Sequence, residues 1–316
     1  MQRPGFTQRF GTWFNRKGWI DIMIATPYIW LIFFFLLPFV IVLAMSFATR
    51  TPTSPPFSFG GDVPWLNTRN FARLFEDTLY IRAYLTSIAN ASIATILCLL
   101  IGYPMALGLT RVSRSWRNVL LMLVILPFWT SFLLRVYAWI GLMGTNSWFN
   151  KLLTAAWNWI MPAEWALRSI HMMNTNFAVI LVTVYSYLPF MILPLFAVLE
   201  KLDMTLNEAA EDLGSRPSRV FFDITLPLSI PGIIAGGLLV FIPASGELII
   251  PSLVGNASRP MIGRVISDEF ASARDWPMAS AVAIALLLLL VVPMMVYTHM
   301  DQKAYEKTIQ KVGEDE

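Results

Sequence analysis

Long, uncharged apolar stretches alternate with short charged segments along this chain. A hydrocarbon core of about 30 Å takes about 20 helical residues to cross. Because backbone groups in lipid must satisfy their own hydrogen bonds, stretches of that length are predicted to be membrane-spanning helices. Six such stretches occur, the third and fifth continuing past one charged residue: Ile22–Thr49, Ala83–Thr110, Asn118–Leu134, Ser169–Leu199, Ile224–Gly246 and Trp276–His299.

Prolines lie inside several of these stretches. In a membrane they imply kinks in the helices and not exits from them. We therefore predict one transmembrane domain over residues 22–299, with an N-terminal segment at 1–21 and a tail at 300–316. The prolines concerned are Pro38, Pro104, Pro127, Pro189 and Pro243.

The composition agrees with an integral membrane protein. Of 316 residues, 56% are hydrophobic and only 14% charged, and the mean hydropathy is +0.60, too apolar for an ordinary soluble domain of this length. The single cysteine, Cys98, excludes an intramolecular disulfide, and the distant His171 and His299 cannot build a His-rich metal site. No cofactor or metal is expected, and a net charge of +3 gives no support to nucleic-acid binding.

Basic residues predict the orientation. Lys and Arg near the ends of spans favour the cytoplasm. The opposite loops also carry arginines, but over longer stretches, where charge directs topology weakly. Both termini are therefore predicted to be cytoplasmic, and the first span is expected to be an uncleaved anchor, since no Ala-x-Ala-like site closes it. The inner basic residues are Arg3, Arg9, Arg16 and Lys17; Arg111, Arg114 and Arg117; Lys201, Arg216 and Arg219; and Lys303, Lys307 and Lys311.

A patterned segment separates the fourth and fifth stretches. Thr205 followed by Glu208 is a capping-box pattern that predicts a short helix, Gly214 can close it in the left-handed conformation, and Pro217 prevents its continuation. The segment resembles the EAA loop of ABC-importer permeases. The positions that fill that pattern are Glu208, Ala209, Ala210, Gly214, Ile224, Leu226 and Pro227.

The resemblance implies an all-α membrane protein with six transmembrane helices of the type I ABC-importer permease fold and a cytoplasmic coupling loop at residues 200–230. In that family the loop docks on a separate ATP-binding subunit, which acts as one of a pair. The dipeptide Gly-Lys never occurs, so the chain has no Walker A loop and is expected to be non-catalytic. It would supply half of a pore in a bacterial inner membrane, beside a second permease, expected to be a paralogue, and a periplasmic solute-binding protein.

Other segments resemble the spermidine/putrescine importer permeases, most closely the putrescine type. They are Ile101–Pro104, Leu126–Trp139, Tyr187–Phe190 and Gly246–Pro251. This resemblance implies polyamine uptake, although permeases for other small organic solutes and for iron share the scaffold.

A polyamine carries ammonium groups, which carboxylates and aromatic faces can hold. Glu247 is ionisable within an apolar span and is the first candidate for the substrate path. Alternatively, it pairs with Arg135 or caps a helix break. Arg135 would repel a cation unless it snorkels outward or is neutralised by a carboxylate. Further path candidates, for which packing or interfacial anchoring is the alternative, are Trp129, Tyr137, Trp139, Tyr185 and Tyr187.

Two other classes stay open at this point. An ion-coupled secondary transporter should show broken helices in two inverted halves, and no such duplication is visible. A membrane-embedded enzyme needs a cluster of catalytic groups, and one glutamate with one arginine does not provide it.

Overall fold

The computed structural model describes residues 17–60, 67–165, 167–203, 205–292 and 294–295. Most of the N-terminal segment 1–21 and all of the tail 300–316 lie outside the described residues. The described residues group into two compact units, one from Met1–Leu74 together with Glu269–Glu316 and one from Phe75–Asp268. The extent predicted for the transmembrane domain, 22–299, stays a prediction.

The first unit begins with an almost continuous apolar helix and contains a small hairpin. Its helix α1 spans Lys17–Leu31, passes through a π-helical turn at Ile32–Leu36 and continues as α2, Leu37–Ser46. Strands β1 (Thr49–Arg50) and β2 (Phe57–Ser58) pair antiparallel. Helix α3, Arg69–Glu76, follows, and a later helix in the described residues, which we number α15, covers Trp276–Val292.

Asn70 fastens the start of α3 to the end of α2. Its side-chain nitrogen donates hydrogen bonds of 2.9 Å to the carbonyl oxygens of Ser46 and Ala48. These carbonyls lie where a helix leaves its last acceptors unpaired, so the buried amide satisfies them.

The second unit consists of helices and short helical turns. In chain order it contains α4 (Thr78–Arg111), α5 (Arg114–Ile125), a 3₁₀ turn (Leu126–Trp129), α6 (Phe132–Met143), α7 (Trp148–Ile160), a 3₁₀ turn (Ala163–Trp165), α8 (Asn176–Leu199), α9 (Thr205–Asp212), α10 (Pro217–Val220), a π-helical turn (Phe221–Thr225), α11 (Leu226–Leu228), α12 (Ile230–Ser245), α13 (Ile249–Val254) and α14 (Ile262–Ser267).

Helices α4, α8 and α12 pack against one another and form the core of this unit. Met191 of α8 is fully buried between two glycines. A Cβ on Gly236 would lie 2.8 Å from the Met191 sulfur, and one on Gly102 would lie 3.1 Å from its Cγ. The two glycines therefore allow the neighbouring helices to approach Met191 more closely than a larger residue would.

Three continuous helices are long and apolar enough to cross a membrane: Met23–Ser46, Thr78–Arg111 and Asn176–Leu199. Two further candidates are bent pairs, Arg114–Trp129 with Phe132–Met143 at 90° and Pro217–Leu228 with Ile230–Ser245 at 64°. The described part of the chain thus contains three to five candidate membrane spans. Helix α15 is apolar but shorter, with 17 described residues. Six spans remain a prediction, and the end of the sixth lies outside the described residues.

The prolines act largely as expected. Pro104, Pro189 and Pro243 lie inside helices that continue past them. Pro127 lies in the 3₁₀ turn just before the 90° bend. The third stretch is accordingly two helical pieces in place of one kinked helix.

Candidate substrate path and coupling segment

The fifth apolar stretch breaks at Glu247. Helix α12 ends at Ser245 and α13 begins at Ile249. One carboxylate oxygen of Glu247, Oε1, accepts hydrogen bonds from the backbone N–H groups of Ile249 at 3.0 Å and Ile250 at 3.5 Å. Since the first N–H groups of a helix have no partner within it, Glu247 caps α13.

The second oxygen of this carboxylate is also engaged. The hydroxyl of Tyr187 on α8 donates a 2.5 Å hydrogen bond to Oε2 of Glu247. Glu247 is 9% exposed. An ionised carboxylate can accept about four hydrogen bonds. With three donors in place, about one acceptor position remains for another group.

Gly263 supports the backbone of the break from the other side. A Cβ at this position would clash with the carbonyl oxygen of Gly246 and would lie 2.7 Å from that of Glu247. The neighbouring Ile262 donates its N–H to the buried Ser87 hydroxyl of α4 at 2.7 Å. Gly263 was not among the predicted site residues, because its only signal in the sequence is a glycine near the start of a short apolar helix.

A row of aromatic rings leads away from Glu247. The ring centroid of Tyr187 lies 6.0 Å from that of Phe190, which lies 5.0 Å from Phe128 in an edge-to-face arrangement. The guanidinium carbon of Arg135 is 5.5 Å from the ring centroid of Phe128. The rings therefore connect a carboxylate to a cation. Neither phenylalanine was among the predicted path residues.

Arg135 has an unusual environment. Its guanidinium also lies 5.5 Å from the Phe132 ring centroid, so two aromatic faces contact it. Its Nε and Nη1 are buried without a hydrogen-bond partner. Among the described residues no ion pair includes Arg135, so of its two alternatives, snorkelling outward and neutralisation by a carboxylate, the second is not found there. Of the two alternatives for Glu247, the helix cap is the geometry found.

The other aromatic candidates are dispersed. Trp139 and Tyr185 form an edge-to-face pair with centroids 5.4 Å apart. Trp129 is 70% exposed and Tyr137 is 55% exposed. Of the predicted aromatic set, Tyr187 is the residue that hydrogen-bonds Glu247.

The segment between α8 and α12 forms the expected short helix and turn. Helix α9 ends in a Schellman motif, in which the N–H of Ser215 bonds the Ala210 carbonyl at 3.0 Å and that of Gly214 bonds the Glu211 carbonyl at 2.8 Å. Gly214 has φ of +83°, the left-handed conformation predicted for it. Pro217 then opens α10.

The start of α9 differs in detail from the prediction. Oδ1 of Asp203 accepts a hydrogen bond from the N–H of Thr205 at 3.0 Å, so Asp203 supplies a cap that the Thr205–Glu208 pattern did not include. Hydrogen bonds from the Thr205 backbone and side chain hold the pKa of Asp203 below its ordinary value, because they stabilise the charged form.

A cleft of about 260 Å³ lies between α9, α10 and the ends of α4 and α8. Thr225 donates a 3.4 Å hydrogen bond to Asn207, which joins the π-helical turn to α9. Of the seven motif residues, Glu208 lines this cleft. Four of the seven are exposed, namely Glu208, Ala209, Gly214 and Pro227. The other three are half-buried, namely Ala210, Ile224 and Leu226.

Apolar helices of spanning length, a broken helix with a buried carboxylate and a capped helical turn together define a membrane transport component. The family model for the inner membrane component of binding-protein-dependent transport systems matches residues 98–304. The chain belongs to this family, and it is thus a multi-pass component of a bacterial inner membrane and not the ATP-hydrolysing subunit.

Individual proteins are similar over most of the chain. The spermidine/putrescine transport system permease protein PotB of Haemophilus influenzae is 42% identical over 276 residues, 87% of this chain and 92% of that protein. PotB of Escherichia coli is 40% identical over 275 residues, 87% of this chain and 95% of that protein. A chain of a bacterial ABC transporter that imports the acidic polysaccharide alginate has a TM-score of 0.69 and 17% identity, with 93% of this chain and 99% of that chain covered, which shows the fold alone.

Proposed function

We propose that this chain is one permease subunit of an ATP-driven importer that takes up polyamines such as putrescine and spermidine. The observation that carries this proposal is the similarity, over most of both chains, to two proteins named as spermidine/putrescine permeases. The ion-coupled transporter and the membrane enzyme have no comparable support. A permease for another small organic solute or for iron is the remaining rival.

The buried site is suited to an alkyl cation. Glu247 retains about one free acceptor position, and the aromatic faces of Tyr187, Phe190 and Phe128 begin beside it. An ammonium group would contact the carboxylate while its methylene chain lies along the rings. In this proposal Glu247 both caps α13 and binds the substrate, so that binding would act directly on the helix break.

The test is uptake of labelled putrescine and spermidine by cells that lack their own polyamine uptake and express this chain with its partner subunits. Glu247→Gln preserves shape and removes the charge. Losing a charge-assisted contact of about 1.5–3 kcal/mol should lower occupancy about 10- to 150-fold. Glu247→Asp should give an intermediate rate, because the charge is kept but withdrawn.

Glu164→Gln is the matched control, since it removes an exposed carboxylate from a different loop. It should leave uptake unchanged. Uptake by Glu247→Gln at the unmodified rate would show that Glu247 serves only the helix break. Uptake of an unrelated solute, with no polyamine transport by the unmodified chain, would favour the rival permease.

For the segment that includes α9 we propose docking on a separate ATP-binding subunit, which is one of a pair. Glu208 is exposed at the rim of the cleft, and Ala209 adds little bulk beside it. Glu208→Lys should therefore reduce copurification of the ATPase while membrane levels stay normal. Glu164→Lys is the control, and equal ATPase recovery from both variants would contradict the docking role.

The assembly would also contain a second permease, which we propose to be a paralogue, and a periplasmic binding protein that delivers the polyamine. We further propose six spans with both termini in the cytoplasm. The basic residues that flank α5 and α9 support this orientation.

A further inference from the structure

A polar pocket of about 480 Å³ lies in the first unit, and none of the residues considered for the substrate path or the coupling segment lines it. The hairpin loop and the residues before α15 form its walls. Two arginines and three hydroxyl-bearing residues line it, together with a tryptophan and small or cyclic side chains, and no carboxylate is among these described lining residues. The lining consists of Arg50, Thr51, Pro52, Thr53, Ser54, Pro56, Ala273, Arg274 and Trp276.

The position of this pocket along the chain places it near the membrane surface. Trp276 is the first residue of the apolar helix α15, and tryptophan favours the boundary between lipid and water. Arg50 follows the end of α2 by four residues, which span at most about 14 Å. The residues that line the pocket are therefore expected at the depth of the lipid headgroups.

Both pocket arginines are exposed, and internal contacts hold one of them. Nη2 of Arg50 donates to the Ala273 carbonyl at 2.6 Å, and Nη1 lies 3.9 Å from the Asp275 carboxylate. That carboxylate is buried and is shared with Arg73 at 3.5 Å and with the N–H of Met278 at 3.1 Å. Arg274 is exposed, and none of the ion pairs among the described residues includes it.

We propose that this pocket binds the phosphate of an anionic phospholipid. Guanidinium groups match the geometry of phosphate oxygens, and hydroxyls can supply further hydrogen bonds. Arg50 is held in place by Ala273 and Asp275, so it offers a preorganised donor, and Arg274 adds the second charge. Trp276 provides the apolar surface on which the start of the acyl chains can lie. A bound lipid would thereby connect the hairpin to the start of α15.

The experiment is a titration of the full-length protein, purified in detergent with its copurifying subunits, followed by native mass spectrometry. Short-chain phosphatidylglycerol is the probe, phosphatidylcholine tests the need for net charge, and inorganic phosphate tests for a soluble ligand. One exposed charge pair contributes up to about fivefold in affinity. Arg50→Gln and Arg274→Gln should each weaken phosphatidylglycerol binding about fivefold, and the double variant about 30-fold.

Two variants separate binding from folding. Arg274→Lys keeps the charge and should retain most of the affinity, and Arg69→Gln, an exposed arginine outside the pocket, should retain all of it. Unchanged lipid binding by the double variant, or equal loss in Arg69→Gln, would overturn the proposal. So would equal affinity for phosphatidylcholine, displacement of the lipid by inorganic phosphate, or loss of a soluble protein partner from the double variant with lipid binding intact.

Discussion

Tyr187 and Glu247 lie 60 residues apart in the chain and meet in a hydrogen bond of 2.5 Å between the phenol oxygen and Oε2. This bond joins the middle of the long helix α8 to the break between α12 and α13. Because Oε1 of the same carboxylate caps α13, a single side chain connects three helical segments. A change in the ionisation or the partners of Glu247 would therefore alter helix geometry as well as charge.

Tyr187→Phe should separate these two effects. Removing the hydroxyl leaves one carboxylate oxygen short of a donor, which costs about 1–3 kcal/mol and should lower the thermal midpoint in detergent. Polyamine uptake should persist, since the charge of Glu247 is kept. Tyr185→Phe is the matched control. If Tyr187→Phe abolishes uptake at normal stability, the phenol itself belongs to the path.

Gly263→Ala should destabilise the break without touching any ionisable group. The added Cβ would clash with the Gly246 carbonyl oxygen, so the backbone must move. Overpacking of this kind costs about 1–3 kcal/mol, measured as a lower thermal midpoint. Gly108→Ala in α4 meets nothing within 4 Å and should be neutral or slightly stabilising. Equal midpoints for the two variants would mean that the break tolerates displacement.

The stability cost of replacing Gly214 should depend on how well the new residue adopts the left-handed backbone conformation. With φ at +83° and open space where a Cβ would lie, an added side chain is strained by the backbone and not by contacts. Gly214→Ala should fray the end of α9 at a cost of about 1 kcal/mol. Gly214→Asn should cost less, because asparagine tolerates this conformation. Hydrogen exchange at residues 209–215 measures the difference, and faster exchange in the Asn variant than in the Ala variant would contradict this explanation.

The cap at Asp203 should persist well into acid. Its pKa is lowered in the folded loop, so its contribution is complete above the ordinary aspartate range and is lost only as the pH falls through the folded value. In the unmodified chain, hydrogen exchange at the Thr205 amide, which donates to the Asp203 carboxylate, should accelerate only in acid, beyond the intrinsic pH dependence. Asp203→Ala should exchange faster than the unmodified chain above the folded pKa of Asp203 and at the same rate below it, whereas Asp203→Asn should lose the pH dependence but keep the cap. Identical profiles for all three would exclude the cap.

Local patterns predicted more of this molecule than did long-range reasoning. The left-handed Gly214 and the start of α10 at Pro217 depend on neighbouring backbone, so sequence spacing was enough. The Asp203 cap is also a local feature, but the neighbouring Thr205–Glu208 pattern predicted the start of the helix without it. Two contacts depend on which helices pack together: that of Tyr187 with Glu247, and that of Gly263 with the backbone of Gly246 and Glu247. One sequence does not specify that packing. The break at Glu247 was visible as an interruption in polarity, although its two possible partners could not be distinguished.

The orientation can be tested with single cysteines in a Cys98→Ser background, which removes the chain's only thiol. Cysteines at Ser113 and Ser218, both exposed and beside clusters of basic residues, should resist an impermeant thiol reagent added to intact spheroplasts. Those at Ser54 and Asn146, exposed in the opposite loops, should react. All four should react once the membrane is permeabilised, which controls for access. The reverse pattern would invert the assignment and place α9 on the side away from ATP, where coupling to an ATPase could not occur.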